Sequence, residues 1–299
     1  MMKSKIFLLA LGLVVESNAT IYPVGITNCG VKSWIDETPQ RAVTLNQGTT
    51  EVMLALGLAD HMVGTAYIDD EIWPELADDY SKIPVLSDTY PDIETLKSVN
   101  PDFLYASYRS AFQASTKEDD NRIDYFDVVK DCDLTLETSR GNATYCRSEL
   151  NEANIQTYLQ SPYCELAVHR PDEVTLDELF QEIFEIALIF DANAAAISLI
   201  ATIENHFQQA TNLVKTHGSE DSALSVFWLD SWDDETPFVG ACCGSVNSII
   251  DYSGAENVFG DLGVEEKKSW ADASWDEIVE KDPDVIVVVD AAWDKAGRF

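Results

Sequence analysis

Basic side chains are scarce in this chain: 19 lysines and arginines face 53 aspartates and glutamates, a formal net charge of −34. A surface of that sign repels phosphate backbones and anionic lipid, which argues against nucleic acid as a partner. It suits solubility in salty water, where screening over roughly 8 Å blunts the self-repulsion. Histidine is scarcer still, with His61, His169, His206 and His217 scattered along the sequence. Bare zinc or manganese sites need several imidazoles beside a carboxylate, so no directly ligated metal and no covalently held cofactor is expected. The acid cluster Asp69-Asp70-Glu71 lacks EF-hand spacing and reads as solvated loop. No nucleophile elbow, metalloprotease helix or phosphate loop is present, so an enzyme is not expected and a hydrolase is the weakest reading.

Long apolar runs are missing beyond the first residues, which excludes a helical membrane protein. Met1–Ala19 carries Lys3 and Lys5, the short apolar stretch Ile6 to Val15 and the small residues Ser17-Asn18-Ala19, the grammar of a secretory signal peptide. All six cysteines (Cys29, Cys132, Cys146, Cys164, Cys242, Cys243) follow it, and an even number in an exported chain favours disulfides. Fifteen pairings are open; Cys242 and Cys243 are expected to take separate partners, because ordinary disulfides hold Cα atoms ~4.4 to 6.8 Å apart. Asn142-Ala143-Thr144 is a glycosylation sequon.

What is present is a repeated phrase. Ile93-Glu94 through Pro101-Asp102-Phe103-Leu104 returns as Trp275-Asp276 through Pro283-Asp284-Val285-Ile286: an acid, a helical turn, Pro-Asp and an apolar strand. Strands are expected at Ala42–Leu45, Phe103–Ala106, Leu224–Leu229, Phe238–Gly240 and Val285–Val289, with short helices closed by Gly57 and Gly254. The C-terminal stretch is expected to repeat the order of the first. The resulting architecture is α/β, two similar lobes with a cleft between them, and a helix long enough to brace both. The expected division is a leader at 1–19, an N-terminal lobe at 20–172 with an insertion at about 112–160, connecting helices at 173–216 and a C-terminal lobe at 217–299. Thr175-x-x-Glu178 has the form of a capping box, and Leu199, Ile203, Phe207, Ala210 and Val214 form one helical stripe.

With these pieces in order, the chain resembles the helical-backbone periplasmic binding proteins of ABC importers, which capture ferric siderophores, haem and cobalamin. The resemblance rests on Pro39-Gln40-Arg41-Ala42-Val43 leading to Thr50 through Leu58, on Val63-Gly64, on the two Pro-Asp phrases and on Gly254-Ala255-Glu256-Asn257-Val258. The sequon, cysteines and acidity also suit secreted versions found in marine algae. The resemblance implies an α/β fold of two Rossmann-like lobes joined by one long backbone helix, with the ligand cleft between the lobes, and a monomeric receptor, secreted, periplasmic or at the cell surface, whose ligand is a ferric chelate, haem or a corrinoid. It implies one surface acid per lobe, Glu94 and Asp276, docking on a membrane permease; a surface receptor without a transporter is the alternative. Two departures stand out. Asp88 occupies the place of an arginine in hydroxamate binders, and the chain ends at Phe299, where the family continues through another helix and strand, so a fragment or a minimal last lobe is implied.

Ligands of open α/β sheets sit beyond the carboxyl ends of the strands. The loops there offer Thr49, Thr50, Tyr67, Tyr90, Tyr108 and Arg109 from the first lobe and Trp232, Trp270 and Trp293 from the second. Aromatic rings give such a ligand area, while tyrosine hydroxyls and Arg109 can bind the oxygens of a chelated metal. Trp228, inside a strand, is expected in the core, and Ser245 is expected to cap the helix that follows it.

Overall fold

The computed structural model describes residues 19–112, 145–164, 166–217, 223–233, 236–265 and 267–290. The leader up to Asn18, Cys132, the sequon at Asn142 and Trp293 lie outside the described residues.

The N-terminal lobe opens with an antiparallel hairpin, β1 (Val24–Asn28) and β2 (Val31–Ile35), whose alternating burial matches a sheet with one wet face. A five-stranded parallel sheet follows in the order β5-β4-β3-β6-β7. Its strands are β3 (Ala42–Leu45), β4 (Met62–Ala66), β5 (Val85–Ser87), β6 (Phe103–Ala106) and β7 (Gln156–Leu159). Central β3 and β6 are buried at every position, as strands covered on both faces must be. The helices are α1 (Gln47–Ala55), α2 (Ala77–Tyr80), α3 (Ile93–Ser98) and α4 (Arg147–Glu152).

The expected insertion at about 112–160 needs correction at its end. β7 pairs with β6 along its whole length, and Tyr145, Leu150 and Leu159 are core residues. Arg147 disguised this segment, because an arginine is read from sequence as surface. Here it is buried, donating to Thr157 Oγ1 at 2.9 Å and to Asn28 Oδ1 at 2.8 Å, with its guanidinium 5.7 Å from the Phe112 ring centre.

Two helices leave the first lobe: α5 (Leu176–Ile189), whose N-cap Thr175 accepts from the Glu178 N–H, and α6 (Asn193–His217). At ~1.5 Å per residue, α6 is a rod of roughly 37 Å. Its first turns, through Ala196 and Ile200, pack in the N-terminal core. Farther along, Phe207 meets Tyr252 edge to face at 4.9 Å, so one helix touches both lobes. Ala210, placed on the stripe by spacing, is exposed, and the half-buried position is Thr211.

The second lobe contains β8 (Ser225–Asp233), β9 (Thr236–Gly240), α7 (Ser245–Tyr252), β10 (Glu256–Asn257), β11 (Trp270–Asp272), α8 (Trp275–Lys281) and β12 (Val285–Val288). β8 runs parallel to β10 and β12 but antiparallel to β9, which pairs antiparallel with β11. The expected repeat of the N-terminal order therefore fails here. β8 ends at Asp233 and β9 begins at Thr236, a link too short for the crossover that parallel strands require.

The repeated phrase itself does the same work in both lobes. Asp102 accepts the N–H groups of Gln40 and Arg41 at 2.8 and 2.9 Å, pinning the entry to β3. Asp284 accepts the N–H and hydroxyl of Ser225 at 2.9 and 2.8 Å, pinning the entry to β8. Arg41 reaches the other way and donates to the carbonyls of Val99 and Asn100, closing the end of α3. Gly57 and Gly254 both have φ of +73° and both end a helix, which is the left-handed position where a side chain is strained.

Cys29 bridges Cys164, tying the β1–β2 turn to the segment after β7, and Cys146 is also disulfide-bonded. Contrary to the expectation of separate partners, Cys242 bonds its neighbour Cys243, with Cα atoms 3.7 Å apart. The loop is held on both sides of the pair: the Cys242 N–H donates to the Leu262 carbonyl and the Cys243 carbonyl accepts from Val174. No helix among the described residues is long and apolar enough to cross a membrane.

Candidate ligand-binding site

A cavity of about 650 Å³ opens between the lobes. The β3–α1 turn (Asn46, Gln47, Gly48), Tyr108 and Tyr163 come from the first lobe, Leu176, Leu179 and Glu182 from α5, Phe207 from α6, and Ser245, Ile249 and Tyr252 from α7. The site is thus made where the first lobe, the connecting helices and the second lobe converge, its apolar and aromatic walls interleaved with polar groups that include the carboxylates of Asp69, Asp70, Glu178 and Glu182.

The β3–α1 turn is the most constrained part of the wall. Asn46 has φ of +90°, a conformation few side chains tolerate, and it is held by its N–H to the Ala66 carbonyl and by its Oδ1, which accepts from the Tyr90 hydroxyl at 3.1 Å. Tyr90 is buried behind this turn, with Ser110 as second partner, and burial pushes its hydroxyl up to about 12. It supports the cavity wall without lining it. Tyr67 packs edge to face on Tyr90 at 4.8 Å and is likewise set back from the cavity.

Thr49 and Thr50, expected in the cleft, face inward instead. Both are fully buried; Thr49 donates to the carbonyls of Leu45 and Asn46, and Thr50 joins Thr44 and Thr65 in a chain of hydroxyls at 2.8 Å. A threonine in the first turn of a helix finds backbone acceptors in reach, and these two lock the turn rather than meet ligand.

Tyr108 does line the cavity, the residue 36% exposed, and burial of its hydroxyl raises that group well above the ordinary range. Its ring lies edge on to Tyr163 at 4.5 Å. Burial raises the Tyr163 hydroxyl above its ordinary range, while the neighbouring polar groups of Trp270, Ser269 and Tyr108 act against that rise. Trp270 stacks on Phe238 at 6.1 Å and, with Arg109, borders a smaller adjoining cavity. Trp232 lies elsewhere, edge on to Trp275 at 6.2 Å. Trp228 packs on the second-lobe core as expected, with its indole N–H buried and unpartnered. Ser245 is the first residue of α7, whose N-cap is Gly244, and its side of the helix faces the cavity.

Missed from sequence was Glu182. It is buried on α5, accepts from Gln160 at 2.7 Å and from the fully buried Tyr105, and forms the wall between the cleft and a second cavity of about 310 Å³. Burial holds its carboxyl above the ordinary range. An acid at a helical apolar-stripe edge reads as a solvated face, and only its tertiary partners reveal it. Glu94 and Asp276 are exposed in the first turns of α3 and α8; the caps are Asp92 and Ser274, so neither acid is used to close its helix. No group of three or more His, Cys, Asp or Glu among the described residues could hold a metal ion.

Two lobes, a spanning helix and a cavity between them define a solute receptor of the binding-protein class. The chain belongs to the periplasmic binding protein family, whose model matches residues 43–298. An uncharacterized ABC transporter substrate-binding lipoprotein, YvrC of Bacillus subtilis, is 23% identical over 94% of this chain and 74% of its own length. Among solved structures, a periplasmic binding protein from Veillonella parvula superposes with a TM-score of 0.67 at 26% identity, over 89% of this chain and 76% of the other. A protein of an ABC-type Fe3+-hydroxamate transport system from Saccharomonospora viridis gives 0.64 at 20% identity, over 90% and 80%. The periplasmic haem-binding protein RhuT from Roseiflexus gives 0.55 at 18% identity, over 84% and 76%.

Proposed function

We propose that this protein captures an iron complex of siderophore, haem or corrinoid size outside the cytoplasmic membrane and delivers it for uptake. The observation that carries this reading is the inter-lobe cavity of about 650 Å³, lined from both lobes and rich in aromatic and aliphatic side chains. Its size suits a bulky organic ligand, and the iron would arrive already chelated. The ligands named for the Saccharomonospora and Roseiflexus proteins, ferric hydroxamate and haem, belong to that class. Met1–Ala19 is the export signal in this reading, and Glu94 and Asp276 are the permease-docking acids, one on each lobe.

The test is tryptophan fluorescence of the purified protein titrated with ferric hydroxamate, ferric catecholate, haem and cobalamin. Saturable quenching by one of them is expected, because Trp270 lines the smaller cavity that adjoins the site. Absence of any response refutes the ligand class. Glu94→Lys with Asp276→Lys is expected to abolish cellular uptake and leave binding intact; unchanged uptake would favour a receptor that serves no transporter.

A further inference from the structure

Two side chains in the main cleft are buried and still hold a polar atom in reserve. Asn46 follows β3 and Ser107 follows β6, and the parallel register that sets Leu45 beside Ala106 makes them neighbours at the carboxyl edge of the sheet. Both line the cavity, yet they are only 2% and 4% exposed. Asn46 Oδ1 accepts from the Tyr90 hydroxyl. Among the described residues, neither Asn46 Nδ2 nor the Ser107 hydroxyl has a hydrogen-bond partner. Buried polar atoms are rarely left in that state, and each one calls for a partner.

An asparagine before a helix ordinarily turns its side-chain oxygen back onto the first N–H groups. Asn46 makes no such cap on α1: its φ is +90°, Oδ1 is engaged by Tyr90, and no acid stands in the first turn. Its carbonyl is pinned from the helix side by the hydroxyls of Thr49 and Thr50 at 3.1 and 2.9 Å, so the conformation is fixed at both ends. The N–H groups that open α1 are thereby left free of a cap, and Gln47 and Gly48 stand in the cavity wall. Gly48 keeps the space in front of them clear; beyond its own helix, a Cβ there would meet only the Ser107 hydroxyl, at 3.6 Å. Backbone strain of this kind persists where function needs the geometry.

What these donors receive follows from the charges around them. Asp69, Asp70 and Glu178 line the same cleft, and among the described residues no lysine or arginine does. The Asp70 N–H donates to Gln47 Oε1 at 2.9 Å, which fastens the 69–71 loop to the first residue of α1. Against these acids the helix terminus offers only roughly half a unit of positive charge. A carboxylate or catecholate would be repelled more than it is held, whereas a neutral carbonyl oxygen takes the hydrogen bonds without the repulsion. We infer that this corner receives a neutral carbonyl oxygen of the ligand, from an amide or a hydroxamate, with Asn46 Nδ2, the Ser107 hydroxyl and the first N–H groups of α1 as donors. This rests on the proposed function and narrows its ligand class.

Isothermal calorimetry on the full chain compares a neutral ferric trihydroxamate, cyanocobalamin with its peripheral amides, hemin and a ferric tricatecholate. The trihydroxamate or cyanocobalamin is expected to bind most tightly, and which of them does tells whether a hydroxamate or an amide supplies the carbonyl. In Asn46→Gly, which tolerates the positive φ and removes the amide, Kd for that probe should rise about tenfold, and Ser107→Ala should act in the same direction. Gly48→Ala puts a methyl group in front of the N–H groups and should also raise Kd about tenfold. Its melting temperature should stay level or rise, since alanine is the better helix residue; a turn that served folding alone would not separate the two readouts. Any hemin binding should change less than about twofold in all three variants, with circular dichroism checking that each is folded. Tightest binding by hemin or the tricatecholate, an unchanged Kd in Asn46→Gly and Ser107→Ala, or equal weakening of carbonyl and carboxylate probes overturns the carbonyl subsite and leaves the proposed function standing. Failure of every probe overturns both.

Discussion

Replacing Glu182 tests whether a buried acid is held in the cavity wall by the phenol and amide that donate to it. In Glu182→Ala the fully buried Tyr105 hydroxyl and the Gln160 amide lose their acceptor. A stranded buried donor and a lost bond to a charged group cost about 2–4 kcal/mol together, or roughly 5–10 °C in Tm for a chain of this size. Glu182→Gln keeps an acceptor for both donors and removes the charge, so it should lie close to wild type. The pH dependence has a definite sign. Burial raises the folded carboxyl, so the folded state holds the proton more tightly than the unfolded chain. That contribution is full below the unfolded carboxylate pKa and is lost as pH rises through the folded value. Glu182→Gln should therefore gain on wild type between pH 5 and pH 8. Urea unfolding of the three proteins at both pH values measures this. An Ala variant as stable as the Gln variant, or a Gln variant that loses ground as pH rises, would refute the assigned network.

Asp284→Ala should destabilise the second lobe at neutral pH. The Ser225 N–H and hydroxyl hold that carboxyl below its ordinary range, so the difference from wild type is full above the ordinary carboxylate pKa and closes as pH falls through the folded value; acid-unfolding curves check it. Gly57→Ala and Gly254→Ala share a φ of +73°, but a new Cβ meets nothing at Gly57 and comes 2.9 Å from Val214 Cγ1 at Gly254. Denaturant midpoints should place Gly57→Ala about 1 kcal/mol below wild type and Gly254→Ala lower still, and equal losses would contradict the packing described. Tyr108→Ala should weaken ligand quenching about tenfold, whereas Thr50→Val should lower thermal stability and leave the Kd unchanged.

The elements whose residues show their roles locally were legible from sequence. β6 is a continuous apolar run and β3 is broken only by Thr44, and Gly57 and Gly254, which close α1 and α7, could be placed because only glycine stops a helix there cheaply. Tyr108 could be placed beside the main cavity, and Arg109 beside the smaller one, because they follow a strand whose end must face a crevice. Residues with two local meanings misled. The threonines after β3 offered hydroxyls to a ligand or to the backbone, and the backbone was nearer. Arg147 and Glu182 carried charge that sequence patterning assigns to solvent.

The sequence by itself determined two α/β lobes, a long helix between them, an acidic surface and the pairing of each Pro-Asp phrase with a strand. These follow from short-range rules of periodicity, capping and turn chemistry, which a few neighbouring residues suffice to express. Only the tertiary structure decided that the second lobe replaces a crossover with a hairpin, that adjacent cysteines bond each other, and that Arg109, Arg170, Lys267 and Lys268 meet beside the cleft. The cluster of cations depends on groups far apart in the chain being brought within a few ångströms, while the vicinal bridge closes in a loop held by Val174 and Leu262 and the hairpin is set among the pairings of β8 with β12 and of β9 with β11, contacts that local preference does not carry.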